Sequence, residues 1–236
     1  MRYWLVMPAA GVGRRFGSAM PKQYAPLQGR TVIEWALAPF LADPGCAGVS
    51  VCLAAEDPYW GEVAERLVKR PGRTAELIFA AGGTERSHSV RKGLEALANR
   101  ATADDWVLVH DAARPCLSSA DLQHLLERLG AHRVGGILAT PASDTLKRAS
   151  ADSSIEQTVD RAGLWRALTP QMFRYQMLCD ALDRALASGR LPTDEAQALE
   201  WLGEHPLLVQ GSAANIKITS ADDLVLAAAL LNARQE

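Results

Sequence analysis

YWLVMPAAGVGRRFGSAMPKQY, residues 3–24, passes from a short apolar stretch straight into a glycine-rich turn. That sequence predicts a buried strand opening into a loop where a ligand approaches the main chain closely. No acid precedes Glu34, whereas Arg2, Arg14, Arg15, Lys22 and Arg30 all fall in this span. In a chain of formal net charge -2, so local an excess of cations predicts a polyphosphate ligand.

Two familiar phosphate loops do not fit. A P-loop needs lysine followed by a hydroxyl residue after its last glycine, and no Lys-Ser or Lys-Thr pair follows Gly11, Gly13 or Gly17. The dinucleotide fingerprint comes closer, but Phe16 occupies the place of the third glycine, where a side chain blocks helix–strand packing. Its ribose-binding acid would have to be Glu34, which lies in an apparent helix. A nicotinamide dehydrogenase is therefore disfavoured.

At 236 residues, with 48% hydrophobic and 22% charged residues, the composition is that of a soluble enzyme. The near-neutral balance argues against nucleic acid as a partner. No apolar run reaches the roughly 20 residues that cross a bilayer, and the start runs into Arg14 and Arg15 too soon for a signal peptide. Cys46, Cys52, Cys116 and Cys179 show no metal-ligand spacing. They read as packed, reduced thiols of a cytoplasmic protein.

Apolar runs at Trp4–Met7, Val49–Leu53, Leu77–Ala80, Trp106–Val109 and Gly136–Ala139 are continuous rather than alternating, as in strands covered on both faces. Helical stripes lie between them: Tyr59, Val63 and Leu67 behind an expected Asp57 N-cap and Pro58 at N1, then Val90, Leu94 and Leu97, then Leu122, Leu125, Leu126 and Leu129. The alternation predicts a single α/β domain, residues 1–236, with an open, mostly parallel twisted sheet and helices on both faces. Ligands bind such sheets at the carboxyl ends of the strands. Residues 141–162 are polar and turn-rich. Short runs at Thr145–Arg148 and Ile155–Val159 predict a protruding β-hairpin arm. Such an arm has little of its own sheet to pack on, which points to a second subunit. Helical periodicity returns from Met177 to Ala185, and Ser220 with Asp223 predicts a capped final helix.

PAAGVGRR, PKQY, GGTERSHSV, VLVHDAARP, DTLKR, TVDR, LTPQ, TDEA and NIKIT follow one another from Pro8 to Thr219. In that order they closely resemble the 2-C-methyl-D-erythritol 4-phosphate cytidylyltransferase family of the non-mevalonate isoprenoid pathway. HDAARP, TVDR and NIKIT discriminate far better than the glycine loop. The resemblance implies a Rossmann-like nucleotidyltransferase fold, a homodimer with intertwined arms, magnesium (Mg2+) as cofactor, and CTP with a polyol phosphate as substrates. Many relatives place an acid where this chain has His88. Ribitol 5-phosphate is the alternative acceptor, because the nucleotide motifs would be largely shared.

Transfer of this kind depends on positioning and charge neutralisation rather than on a covalent nucleophile. Arg15 and Lys22 are the expected transition-state cations. The main chain of Pro8, Ala9, Ala10, Gly11 and Gly13 is expected to reach the phosphates and ribose. Gly82, Gly83 and Thr84 would approach the pyrimidine, with Ser89 hydrogen-bonding to it or merely opening a helix, and Ala112 beside them. Asp111, at a strand's carboxyl end, suits magnesium, a ribose hydroxyl, or a simple brace with Arg114. His110 reads as a packed core residue. Thr145, Arg161, Thr193 and Lys217 match the family's acceptor-phosphate positions, with Arg161 and Lys217 also contributing catalytic charge. Alternatively, Thr193 caps a helix starting at Asp194, and Arg161 pairs with Asp160.

Overall fold

Tyr3, Leu5 and Met7 pack into one hydrophobic cluster and Trp4 and Val6 into another, all five buried. A strand that alternates between two cores lies inside a sheet covered on both faces. The computed structural model describes residues 1–11, 16, 20–69 and 75–234. Its first strand, β1, is Tyr3–Pro8. A 3-10 turn (Lys22–Tyr24) and a small ribbon (β2, Pro26–Leu27; β3, Arg30–Thr31) lead into α1, Val32–Ala42. Then follow β4 (Cys46–Leu53), α2 (Trp60–Val68), β5 (Glu76–Ala81), α3 (Arg86–Glu95), β6 (Trp106–Val109), α4 (Ser119–Leu129) and β7 (Gly135–Pro141). The arm strands are β8 (Leu146–Ala149) and β9 (Ile155–Val159). The chain continues through β10 (Trp165–Arg174), α5 (Tyr175–Ala187), α6 (Glu195–Glu200), β11 (Leu207–Gln210) and α7 (Ala221–Asn232).

The main sheet runs β11-β7-β10-β6-β1-β4-β5. Only β10 is antiparallel to its neighbours, β6 and β7. Ile33, Leu37 and Phe40 of α1, Val63 and Leu67 of α2, and Leu122 and Leu125 of α4 cover one face. Val90 and Leu94 of α3, Leu178 and Leu182 of α5, and Leu199 of α6 cover the other. Full burial of each such side chain contributes roughly 1.5–3 kcal/mol. Helix α7 closes a third cluster with Ala25, Leu27 and Ile218.

The five strands read from the sequence are all present, and β10 and β11 join them. The α2 stripe holds, but the helix begins at Trp60 rather than Pro58. The N-cap is Tyr59 rather than Asp57, although Asp57 Oδ1, two residues earlier, accepts from the amides of both Tyr59 and Trp60 at 3.0 Å. Glu34 is not a ribose ligand: it closes a capping box with Thr31 at the start of α1 and pairs with Arg66 at 3.1 Å. The Ser220–Asp223 box at α7 is present as expected.

Candidate active site

The loops after β1, β5 and β6 meet at a cleft of about 500 Å³ at the carboxyl ends of those strands. Pro8, Ala9, Ala10, Gly11, Lys22, Gly83, Thr84, Ser89, Asp111, Ala112 and Lys217 line it together. A larger, shallower groove of about 750 Å³ beside Asp104, Arg174 and Arg184 contains none of the expected residues. Gly13, Arg14 and Arg15 lie outside the described residues.

The start of the first loop is tied down at Ala9 and Gly11. The Ala9 amide donates to the Cys52 carbonyl at 2.8 Å. The Gln23 carboxamide donates to the carbonyls of Ala9 (2.7 Å) and Gly11 (3.1 Å). The second loop needs its glycines. A Cβ on Gly82 would stand 2.2 Å from that of Ala10, and one on Gly83 would stand 2.3 Å from that of His88. Gly82 donates to the Leu53 carbonyl at 2.6 Å, and Lys92 Nζ holds the Gly82 carbonyl at 3.0 Å. Ser89 lines the cleft, but its hydroxyl accepts from the Gly83 amide and donates to the Glu85 carbonyl. It braces the turn that faces the ligand.

Charge concentrates around Asp111, which is buried with two oxygens facing three cations. Arg86 Nε meets Oδ1 at 3.0 Å, while Lys217 Nζ and Arg114 Nε approach Oδ2 at 2.8 and 3.5 Å. Burial alone would raise its pKa. The adjoining Arg86, Lys217 and Arg114 charges outweigh that effect and hold the carboxyl well below the usual carboxylate range. Arg86 also forms a bidentate pair with the buried Glu195, at 2.6 and 3.0 Å. The brace with Arg114 is thus one part of a wider network. Among the described residues no group of three or more potential ligands could hold a metal, and Asp111 alone, already engaged on both oxygens, does not fit a resident magnesium site.

His110 is the core residue anticipated. Its ring nitrogens face Thr169 Oγ1 (2.9 Å) and the Arg114 carbonyl (3.1 Å), and burial lowers its pKa to about 4. The NIKIT segment is stitched to the same region. Arg114 donates to the Asn215 carbonyl, Asn215 Nδ2 to the Thr169 carbonyl, and Ile218 N to the Ala113 carbonyl, which delivers Lys217 to the cleft. Lys22 Nζ donates to the Ile218 carbonyl at 2.7 Å.

Thr145, Arg161 and Thr193 are exposed and lie off the cleft wall. Arg161 donates to the Ser143 carbonyl, while Asp160 accepts from the Ala162 amide. The cap of α6 is Asp194, which accepts from Gln197 N, rather than Thr193. Sequence reading missed Gln23, Arg86, Glu195, Thr169 and Asn215. All five sit in the quoted strings PKQY, GGTERSHSV, TDEA, LTPQ and NIKIT, yet Arg86 and Glu195 are 109 positions apart and no local pattern pairs them.

Known proteins resemble this chain in both sequence and fold. The family model for 2-C-methyl-D-erythritol 4-phosphate cytidylyltransferase matches residues 3–233. Among curated relatives, the enzyme of that name from Ectopseudomonas mendocina is 53% identical over 94% of this chain and 93% of its own length. The one from Vibrio vulnificus is 49% identical over 94% and 91%. The crystal structure of a 4-diphosphocytidyl-2C-methyl-D-erythritol synthase superposes with a TM-score of 0.82 at 36% identity, covering 98% of this chain and 99% of that one. The Francisella tularensis cytidylyltransferase gives 0.81 at 32% identity, covering 98% and 100%. This chain belongs to the 2-C-methyl-D-erythritol 4-phosphate cytidylyltransferase family.

Proposed function

We propose that this protein transfers the cytidylyl group of CTP to 2-C-methyl-D-erythritol 4-phosphate, giving 4-diphosphocytidyl-2-C-methyl-D-erythritol and pyrophosphate for isoprenoid precursor synthesis. One observation carries the reading: two glycine loops and the cations Lys22 and Lys217 converge on one cleft at the strand ends. CTP lies with its triphosphate along Ala9–Gly11 and Lys22, joined by Arg15 and Gly13, and its base toward Gly82–Ser89. Lys217 receives the phosphate of the acceptor.

An oxygen of the acceptor phosphate forms a bond to the α-phosphorus, and the bond from that phosphorus to the bridging oxygen of pyrophosphate breaks in line. The attacking phosphate is already anionic, so no proton need be removed. Lys22 and Arg15 neutralise charge on the departing pyrophosphate, and Lys217 orients the nucleophile. Side-chain nucleophiles are poorly placed to compete. His110 is bonded at both ring nitrogens, and burial raises the Cys46 and Cys52 thiols to about 12. Magnesium takes few carboxylates and many phosphate oxygens, so it enters with CTP as part of the substrate complex.

The exposed hairpin β8–β9, with Ile155 67% exposed, supports a homodimer in which Thr145 and Arg161 reach the neighbouring subunit's cleft. Four free, buried cysteines support a reducing, cytoplasmic setting, and among the described residues no helix is long and apolar enough to cross a membrane. The test is pyrophosphate release from CTP with a panel of acceptors. Turnover is expected with 2-C-methyl-D-erythritol 4-phosphate and little with ribitol 5-phosphate; the reverse preference would overturn the assignment.

A further inference from the structure

We propose that Gln23 is a positioning residue for nucleotide binding: it occupies the Ala9 and Gly11 carbonyl oxygens so that they do not oppose the triphosphate. The inference rests on reading this cleft as the CTP site. A glycine-rich loop binds phosphate through amide N–H groups, and each carbonyl oxygen turned toward the anion would repel it. Which end of each peptide dipole faces the ligand is therefore decisive.

Gln23 is 4% exposed, and its Nε2 donates to Ala9 O at 2.7 Å and Gly11 O at 3.1 Å. Both partners are acceptors, so the amide must present its nitrogen here, and both of its hydrogens are used. Because a trans peptide directs C=O and N–H oppositely, drawing the Ala9 carbonyl toward Gln23 turns the Ala10 amide away from it. Packing holds Ala9 and Ala10, against the core and Gly82, but does little at Gly11. No heavy atom lies within 4 Å of where a Cβ on Gly11 would stand.

The clamp itself is well anchored. Tyr24, the next residue, stacks on Tyr59 at 5.1 Å, and its hydroxyl donates to Asp57 at 2.7 Å. The Tyr24 amide also closes the turn onto the Pro21 carbonyl at 2.9 Å. Gln23 is thus fixed from one side and fixes the nucleotide loop on the other, the arrangement that a precise binding site requires.

Gln23→Met and Gln23→Glu separate this role from simple packing. Methionine keeps the length and loses both donors. Glutamate turns a negative oxygen toward two carbonyls, and burial raises its pKa, so falling pH restores one O–H donor. CTP affinity is measured by calorimetry on the intact protein, with kinetics at pH 8 and pH 6 and folding checked by circular dichroism. Gln23→Met is expected to weaken CTP about tenfold or more. Gln23→Glu should lose more at pH 8 and recover part of the loss at pH 6, while the KM for the acceptor changes little. CTP affinity within about twofold of wild type in folded Gln23→Met would overturn the proposal, and this variant decides alone if Gln23→Glu does not fold. A wild-type protein that releases no pyrophosphate from CTP with any acceptor would instead overturn the reading of the cleft.

Discussion

Asp111 and His110 are neighbours in sequence with opposite fates, set by their surroundings. The carboxylate is surrounded by Arg86, Lys217 and Arg114 and stays charged. The imidazole is buried, stays neutral, and has its pKa lowered to about 4 from the ordinary 6.5. Between those values the unfolded chain binds the proton and the native protein does not, so His110 makes stability fall as pH drops through that window. Its contribution is complete above the window and is on the order of 3 kcal/mol. Urea midpoints measured from pH 7 to 4.5 should therefore decline more steeply in the wild type than in His110→Gln. Equal slopes would show that another group carries the pH dependence. Lys22 holds the complementary position, and Lys22→Ala should lower kcat about 100-fold in a pyrophosphate-release assay, with the fold retained.

At the scale of the elements, the turn from β5 into α3 is the most constrained part of the cleft. Gly82→Ala would drive a methyl group into the Ala10 Cβ and the Leu53 carbonyl, displacing two nucleotide loops at once. The expected cost is about 1–3 kcal/mol in thermal or urea unfolding, with a larger loss of CTP affinity than of stability. An alanine variant with unchanged CTP binding would show that the two loops need not touch. Much of this architecture was legible in the sequence, because β1, β4, β5, β6 and β7 are continuous apolar runs with no alternative reading. Strand β10 was not: it contains Pro170, which argues against an interior strand, and polar residues interrupt it. Strand β11 offers an apolar run of only Leu207–Val209, at an edge of the sheet where Leu207 and Leu208 stay exposed. The cleft's walls were legible from glycines and lone charges. The pairing of Arg86 with Glu195 was not, because it depends on the fold bringing the first residues of α3 and α6 together.

At the scale of the whole molecule, a single chain leaves three expected acceptor residues, Thr145, Arg161 and Thr193, off its own cleft wall. Thr145 and Arg161 flank an arm whose strands are largely exposed on both faces, whereas Lys217 already stands at the cleft. If the neighbouring subunit's arm completes each site, two inactive variants should rescue one another. Lys22→Ala mixed with Arg161→Ala and reassembled would give heterodimers with one intact site of two, roughly a quarter of wild-type activity for random pairing and C2 symmetry. No recovery would place Arg161 in its own subunit's site. The most direct test of the central claim is a crystal structure of this protein with CTP. The triphosphate is expected against Ala9–Gly11 and Lys22, with the cytosine at Gly82–Ser89. Nucleotide bound elsewhere, such as in the groove beside Asp104 and Arg174, with this cleft left empty, would contradict it.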